Sequence, residues 1–166
     1  TGWYTLSLHD ALPISVDGKT ASINVAVSWF VPKPHTPFAW LDQRPRDYFE
    51  QAKRIIIDEK LRLRAKFLVF KFHQIEQSIL EAAMGRADRR CGQVIETAWR
   101  RGARFDLWGD CFDYSLWREA FSQAGLDLEA AAQRRFGRDE LLPWAHLGGP
   151  DADYLLNHYD DAMQGM

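Results

Sequence analysis

Residues 22–30 read SINVAVSWF and residues 65–72 read AKFLVFKF, and the fold turns on how these two apolar runs are joined. In the first, Ile23, Val25, Val27 and Trp29 recur at every second position, the period of a strand buried on at least one face. In the second, Phe67, Val69 and Lys71 alternate with Leu68, Phe70 and Phe72. Residues 31–38 (VPKPHTPF) follow the first run and hold three prolines. Each proline fixes its own φ and pushes its predecessor toward extended geometry, so this stretch is a stiff loop. Residues 45–62 then predict a helix with Pro45 in its first turn and Phe49, Ala52, Ile55 and Ile56 as the buried stripe. Strand, stiff loop, helix, strand is the order of a βαβ unit, with two parallel strands and one crossover helix.

No further strand is expected after residue 73. Residues 74–86 carry Ile75, Ile79, Ala82 and Ala83 at helical spacing, and residues 88–101 carry Val94, Ile95, Ala98 and Trp99. Gly102 is placed to end the second of these helices. Asp113 is placed to cap a helix over residues 114–124, stopped by Gly125, with Leu116, Trp117, Ala120 and Phe121 facing inward. Asp127 opens a short helix to residue 135, residues 141–150 form a loop, and Asp151 or Asp153 starts a last helix through residue 163. The fold class is therefore α/β: a βαβ piece followed by an all-helical C-terminal extension.

Composition bounds the function. The 166 residues are 46% hydrophobic and 27% charged, the balance of an ordinary globular chain. A net charge of −2 gives no basic excess to mark nucleic acid as the main partner. No apolar run approaches the roughly 20 residues of a membrane span. Two cysteines, Cys91 and Cys111, exclude a disulfide scaffold and a four-thiolate metal site and read as free thiols of a reducing cytoplasm. His9, His73, His146 and His158 share no ligand spacing, so no metal site is expected.

Two clusters admit a functional and a structural reading. Arg86, Arg89, Arg90, Arg100, Arg101 and Arg104 would suit phosphate oxygens of an RNA, or would form a solvated helix face paired with Asp88 and Glu96. The neutral balance of the chain favours the second. Trp99, Trp108, Trp117 and Trp144, with Phe105, Phe112 and Phe121, would form a base-stacking platform or a core. Trp99, Trp117 and Phe121 fall on apolar stripes, so core packing is expected.

Four stretches together resemble one family. Residues 27–40 (VSWFVPKPHTPFAW), 85–90 (GRADRR), 105–117 (FDLWGDCFDYSLW) and 141–146 (LLPWAH) recur in this order in radical S-adenosylmethionine proteins that carry an N-terminal cobalamin-binding domain. The resemblance implies a partial (β/α) barrel that holds a [4Fe–4S] cluster on a CxxxCxxC loop and binds S-adenosylmethionine for radical chemistry; where the N-terminal domain is present, cobalamin is a further cofactor of the parent protein. It implies no particular substrate. CxxxCxxC is absent, since Cys91 and Cys111 lie 20 positions apart, so this chain is not expected to bind the cluster or to turn over by itself.

The N-terminal residues bear on that absence. Residues 4–15 resemble the conceptual translation of a short-read sequencing adaptor, and residues 1–15 are set apart from the fold for that reason. The protein is then expected to continue upstream of Val16. Residues 16–72 would be the end of the barrel, and residues 73–166 the helical extension. The partners implied are the missing barrel strands and the cobalamin-type domain of the same parent chain.

Lys33, His35 and Thr36 follow a strand, at the edge of a (β/α) barrel where active sites collect. At that edge Lys33 would meet a carboxylate of S-adenosylmethionine or substrate and His35 would donate a proton or a hydrogen bond; the resemblance places the loop there and names no contacting atom. The structural alternative is that Pro32, Pro34 and Pro37 only stiffen a connection, with His35 bonded to backbone. The competing function is a helical protein- or RNA-interaction module without catalysis.

Overall fold

The computed structural model describes residues 15–16 and 19–165, with side-chain environments from residue 21 onward. A two-residue antiparallel ladder pairs β1 (Ser15–Val16) with β2 (Lys19–Thr20). The adaptor reading otherwise falls on residues 1–14, outside the described residues.

Strand β3 (Ile23–Val27) runs parallel to β4 (Leu68–Phe72), with Ile23 opposite Leu68, Val25 opposite Phe70 and Val27 opposite Phe72. Helix α1 (Arg46–Arg62) makes the crossover between them. The βαβ order expected from residues 22–72 is therefore present. Both strands are shorter than their apolar runs, for local reasons. Trp29 leaves the ladder because its indole Nε1 donates to the carbonyl of His73 at 2.8 Å and its ring packs on Phe49 and Phe72. Residues 65–67 are spent ending α1, where Arg64 takes φ +51° and Ala65 N–H donates to Lys60 O.

Helix α1 differs from its predicted stripe. Pro45 is the N-cap and not a first-turn residue, and Phe49 is the buried apolar residue of the helix, while Ile55 and Leu61 stay exposed. The cause is geometric: a two-stranded sheet is too narrow to cover a 17-residue helix.

The helices that follow are α2 (Ile75–Gly85), α3 (Cys91–Arg100), α4 (Tyr114–Gln123), α5 (Leu128–Ala132) and α6 (Ala152–Gln164). The starts of α4, α5 and α6 match the capping signals, whereas α2 and α3 have no side-chain cap and α3 begins at Cys91, three residues after the expected start at Asp88. Asp113 accepts from the N–H groups of Ser115 and Leu116, Asp127 from Ala130, and Asp151, not Asp153, caps α6. Helix α5 stops at Ala132 instead of residue 135 because the Ala132 carbonyl is taken from outside the helix, by Gln43 N–H and Arg86 Nη1.

Two apolar clusters hold the molecule. The larger gathers Ile79, Val94, Ala98, Trp117, Phe121 and Leu128 from α2 to α5. Burying Phe121 alone stabilises the fold by roughly 2–3 kcal/mol. The smaller joins Ala39 and Trp40, in a 3₁₀ turn over Pro37–Trp40, to Phe136, Trp144 and Leu155. Packing thus runs across residue 72.

The aromatic expectation is correct for Trp117, Phe121 and Trp144 and wrong for Trp99. The α3 stripe centres on Val94 and Ala98, which turns Trp99 outward to 56% exposure with the Arg104 guanidinium over its ring at 4.8 Å. Phe105 and Trp108 are also exposed. No described helix is long and apolar enough to cross a membrane.

Candidate functional site

The parallel strands end together, at Val27 and Phe72, and that edge is tied off by His73. Its N–H donates to Val27 O at 2.9 Å and its carbonyl accepts from Trp29. The proline-rich loop leaves from this edge with Pro32 fully buried. Gln43, also fully buried, fastens the loop to α2 by donating from Nε2 to Phe30 O at 3.3 Å and Ser78 O at 3.1 Å. One buried amide thereby ties the start of the loop to α2.

The three loop candidates part company. Lys33 forms an ion pair with Glu81 on α2. Thr36 Oγ1 donates to Lys33 O at 2.8 Å and so closes the turn ahead of the 3₁₀ segment. His35 takes φ +58° and turns its ring the other way, into a recess of about 200 Å³ beside Trp40, Trp144 and Gly149. A Cβ built on Gly149 would lie 2.5 Å from His35 Nδ1, so the ring rests directly on that glycine. Lys33 and His35 therefore serve different neighbours.

Beside Lys33 opens a larger cleft, of about 650 Å³. Its floor is α2, with Gln77, Leu80, Glu81 and Met84, and His73 stands at the strand edge. Its far wall is the turn between α3 and α4, where Phe105, Leu107 and Trp108 face the opening and Phe112 closes the back. The turn is pinned at its centre by Asp106. Its carbonyl accepts from Gln77 Nε2 at 2.9 Å and its Oδ1 from Trp117 Nε1 at 3.0 Å. Glu81, Gln77 and Leu107 were not singled out by sequence reasoning, and Phe105, Trp108 and Phe112 were read as part of a stacking platform or core, not as the wall of a cleft. The available signal was that Leu107 and Trp108 are apolar yet fit no helical or strand period.

The clustered arginines are largely committed. Arg86 is only 3% exposed, bonds Ala132 O and Arg134 O, and stacks on Phe136 at 4.7 Å, which corrects its place on a solvated face. Burial pulls its guanidinium down to about 10, with Asp42 opposing and Arg134 adding to the drop. Arg90 pairs with Asp88 and Arg100 with Glu96, as the spacing predicts, and Arg101 pairs with Glu119.

The two cysteines do not suit an iron–sulfur cluster. Cys91 is buried with its Sγ 3.7 Å from Met84 Sδ, and burial pushes its thiol up, away from the thiolate a cluster requires. Cys111 is exposed in the turn before α4. Three converging thiolates cannot be drawn from two residues so placed. Among the described residues no group of three or more His, Cys, Asp or Glu is arranged to hold a metal ion.

Comparison of the chain with family models, curated proteins and solved structures finds no match.

Proposed function

We propose that this chain is the C-terminal portion of a radical S-adenosylmethionine enzyme, with the cluster and the S-adenosylmethionine site carried by barrel strands upstream of Val16. The observation that supports this reading best is the parallel β3–β4 pair with its crossover helix, whose C-terminal edge carries both the VPKPHT loop and the cleft. The four sequence stretches also acquire distinct structural duties. VSWFVPKPHTPFAW builds the edge, GRADRR supplies the buried Arg86, FDLWGDCFDYSLW builds the wall and caps α4, and LLPWAH supplies Trp144 to the second cluster.

The residues present do not fit the cluster, so no chemical step is assigned to them. Their part is to close the end of the barrel and to shape the space above the strand ends, with Lys33 and Glu81 as its charged rim. When bound elsewhere in the parent protein, the cofactors supply the radical chemistry and the protein supplies orientation and exclusion of solvent.

Anaerobic reconstitution with iron and sulfide tests the division of labour. The chain is expected to develop no broad absorbance near about 400 nm, where iron–sulfur chromophores absorb. A stable cluster on residues 1–166 would overturn the assignment.

A further inference from the structure

We propose that the cleft between α2 and the 105–112 turn binds a small hydrophobic ligand carrying a positively charged amine. The inference goes beyond the radical-enzyme reading and does not depend on it, because every residue used lies in this chain. A space of about 650 Å³ falls within the size range of small-molecule sites, roughly 300–1,000 Å³. Its apolar wall is displayed to solvent: Phe105 is 74% exposed, Leu107 96% and Trp108 67%.

That display is built in. The centre of the turn is anchored to buried Trp117, and Trp108 N–H donates to Phe105 O at 2.8 Å. Phe105 itself is held at φ +56°, a backbone conformation that costs a non-glycine residue of order 1 kcal/mol or more. The fold thus holds apolar rings in water at a local cost.

Charge selects the ligand class. Glu81 and Asp106 line the cleft; among the described residues no lysine or arginine lines it, and Lys33 at its rim is already paired with Glu81. Lys33 reaches Glu81 from the loop and occupies it, as a ligand ammonium would. An aromatic face beside carboxylates favours a cation with an apolar body, through cation–π attraction and charge-assisted hydrogen bonds. An anion of the same shape meets the Asp106 carboxylate and a Lys33 ammonium already satisfied by Glu81.

The probe is 2-phenylethylamine, compared with 3-phenylpropionate of similar size, titrated with the full chain and followed by the probe's own aromatic proton resonances, with the Trp108 indole N–H as a second reporter in the unsubstituted chain. Trp108→Phe assigns that resonance. The amine is expected to bind with a Kd of about 1 mM or tighter, and the carboxylate at least about tenfold more weakly. Trp108→Ala and Glu81→Gln should each weaken the amine several-fold, and both alter exposed side chains. Lys33→Ala should tighten the amine by freeing Glu81. Absence of amine binding, equal binding of the carboxylate, or amine binding indifferent to Trp108→Ala would each overturn the proposal. None of those results would bear on the reconstitution outcome, so the two readings fail separately.

Discussion

At Gly149 the backbone sits at φ +127° and the His35 ring occupies the space a side chain would need. Both facts make glycine obligatory there. Gly149→Ala is expected to cost about 2 kcal/mol, lowering Tm by roughly 4–8 °C for a chain of this length. Pairing it with His35→Ala should recover part of the loss, because the clash is relieved while the φ strain remains. Recovery measured by thermal melts would locate His35 as a packing residue of the second cluster. Full additivity of the two losses would contradict that placement.

The cysteines give an independent check at the same scale. Cys111 is exposed, and Cys91 is buried with its thiol pushed up by that burial. A thiol reagent should therefore label one cysteine rapidly in the native chain and two in denaturant. Rapid native labelling of both would contradict the burial of Cys91 beside Met84 at the start of α3.

Among the elements, what could be read in advance and what could not differ for physical reasons. The starts of α4, α5 and α6 were legible because Asp113, Asp127 and Asp151 are short acceptors placed before apolar periodicity, while α3, which has no side-chain cap, starts three residues later than expected. The strand pair was legible from the period of two in β3 and β4. Element ends were less so, because Trp29 and Ala132 are claimed by partners 44 or more residues away. Arg86 was misplaced for the same reason: its partners Ala132 O and Arg134 O lie 46 and 48 residues on. The cleft was not legible at all, since it joins α2 to an aperiodic turn.

Ion pairs between elements carry a pH signature. Burial pushes the Glu76 carboxyl up, but the hydrogen bond from Arg46 on α1 and its own backbone N–H bring it below the ordinary value. Hydrogen bonds from the Arg90 side chain and N–H likewise lower Asp88. A carboxyl that is more acidic folded than unfolded stabilises the fold above its unfolded pKa. That contribution is lost as pH falls through the folded value. Thermal stability should therefore stay level from about pH 7 to about pH 5 and decline below about pH 4. Arg46→Met should shallow the acid decline, and because the pair is about one-third exposed its effect at neutral pH should stay under about 1 kcal/mol.

For the whole molecule, β3 and β4 each present an unpaired edge among the described residues, and Ile23, Val69, Ile55 and Leu61 lie exposed on the same βαβ unit. Unpaired parallel edges beside uncovered apolar side chains are a surface that further strands would cover, as the proposed parent barrel would supply. The helical half is different, with its own core from Ile79 to Leu128. This asymmetry is the large-scale argument for a parent barrel, and it leads to a direct measurement. The source template should be sequenced upstream of the Val16 codon with a primer inside this reading frame. The account predicts one continuous frame that replaces residues 1–15 and encodes CxxxCxxC upstream. A genuine start codon near residue 1, with no such cysteine motif before Val16, would contradict it.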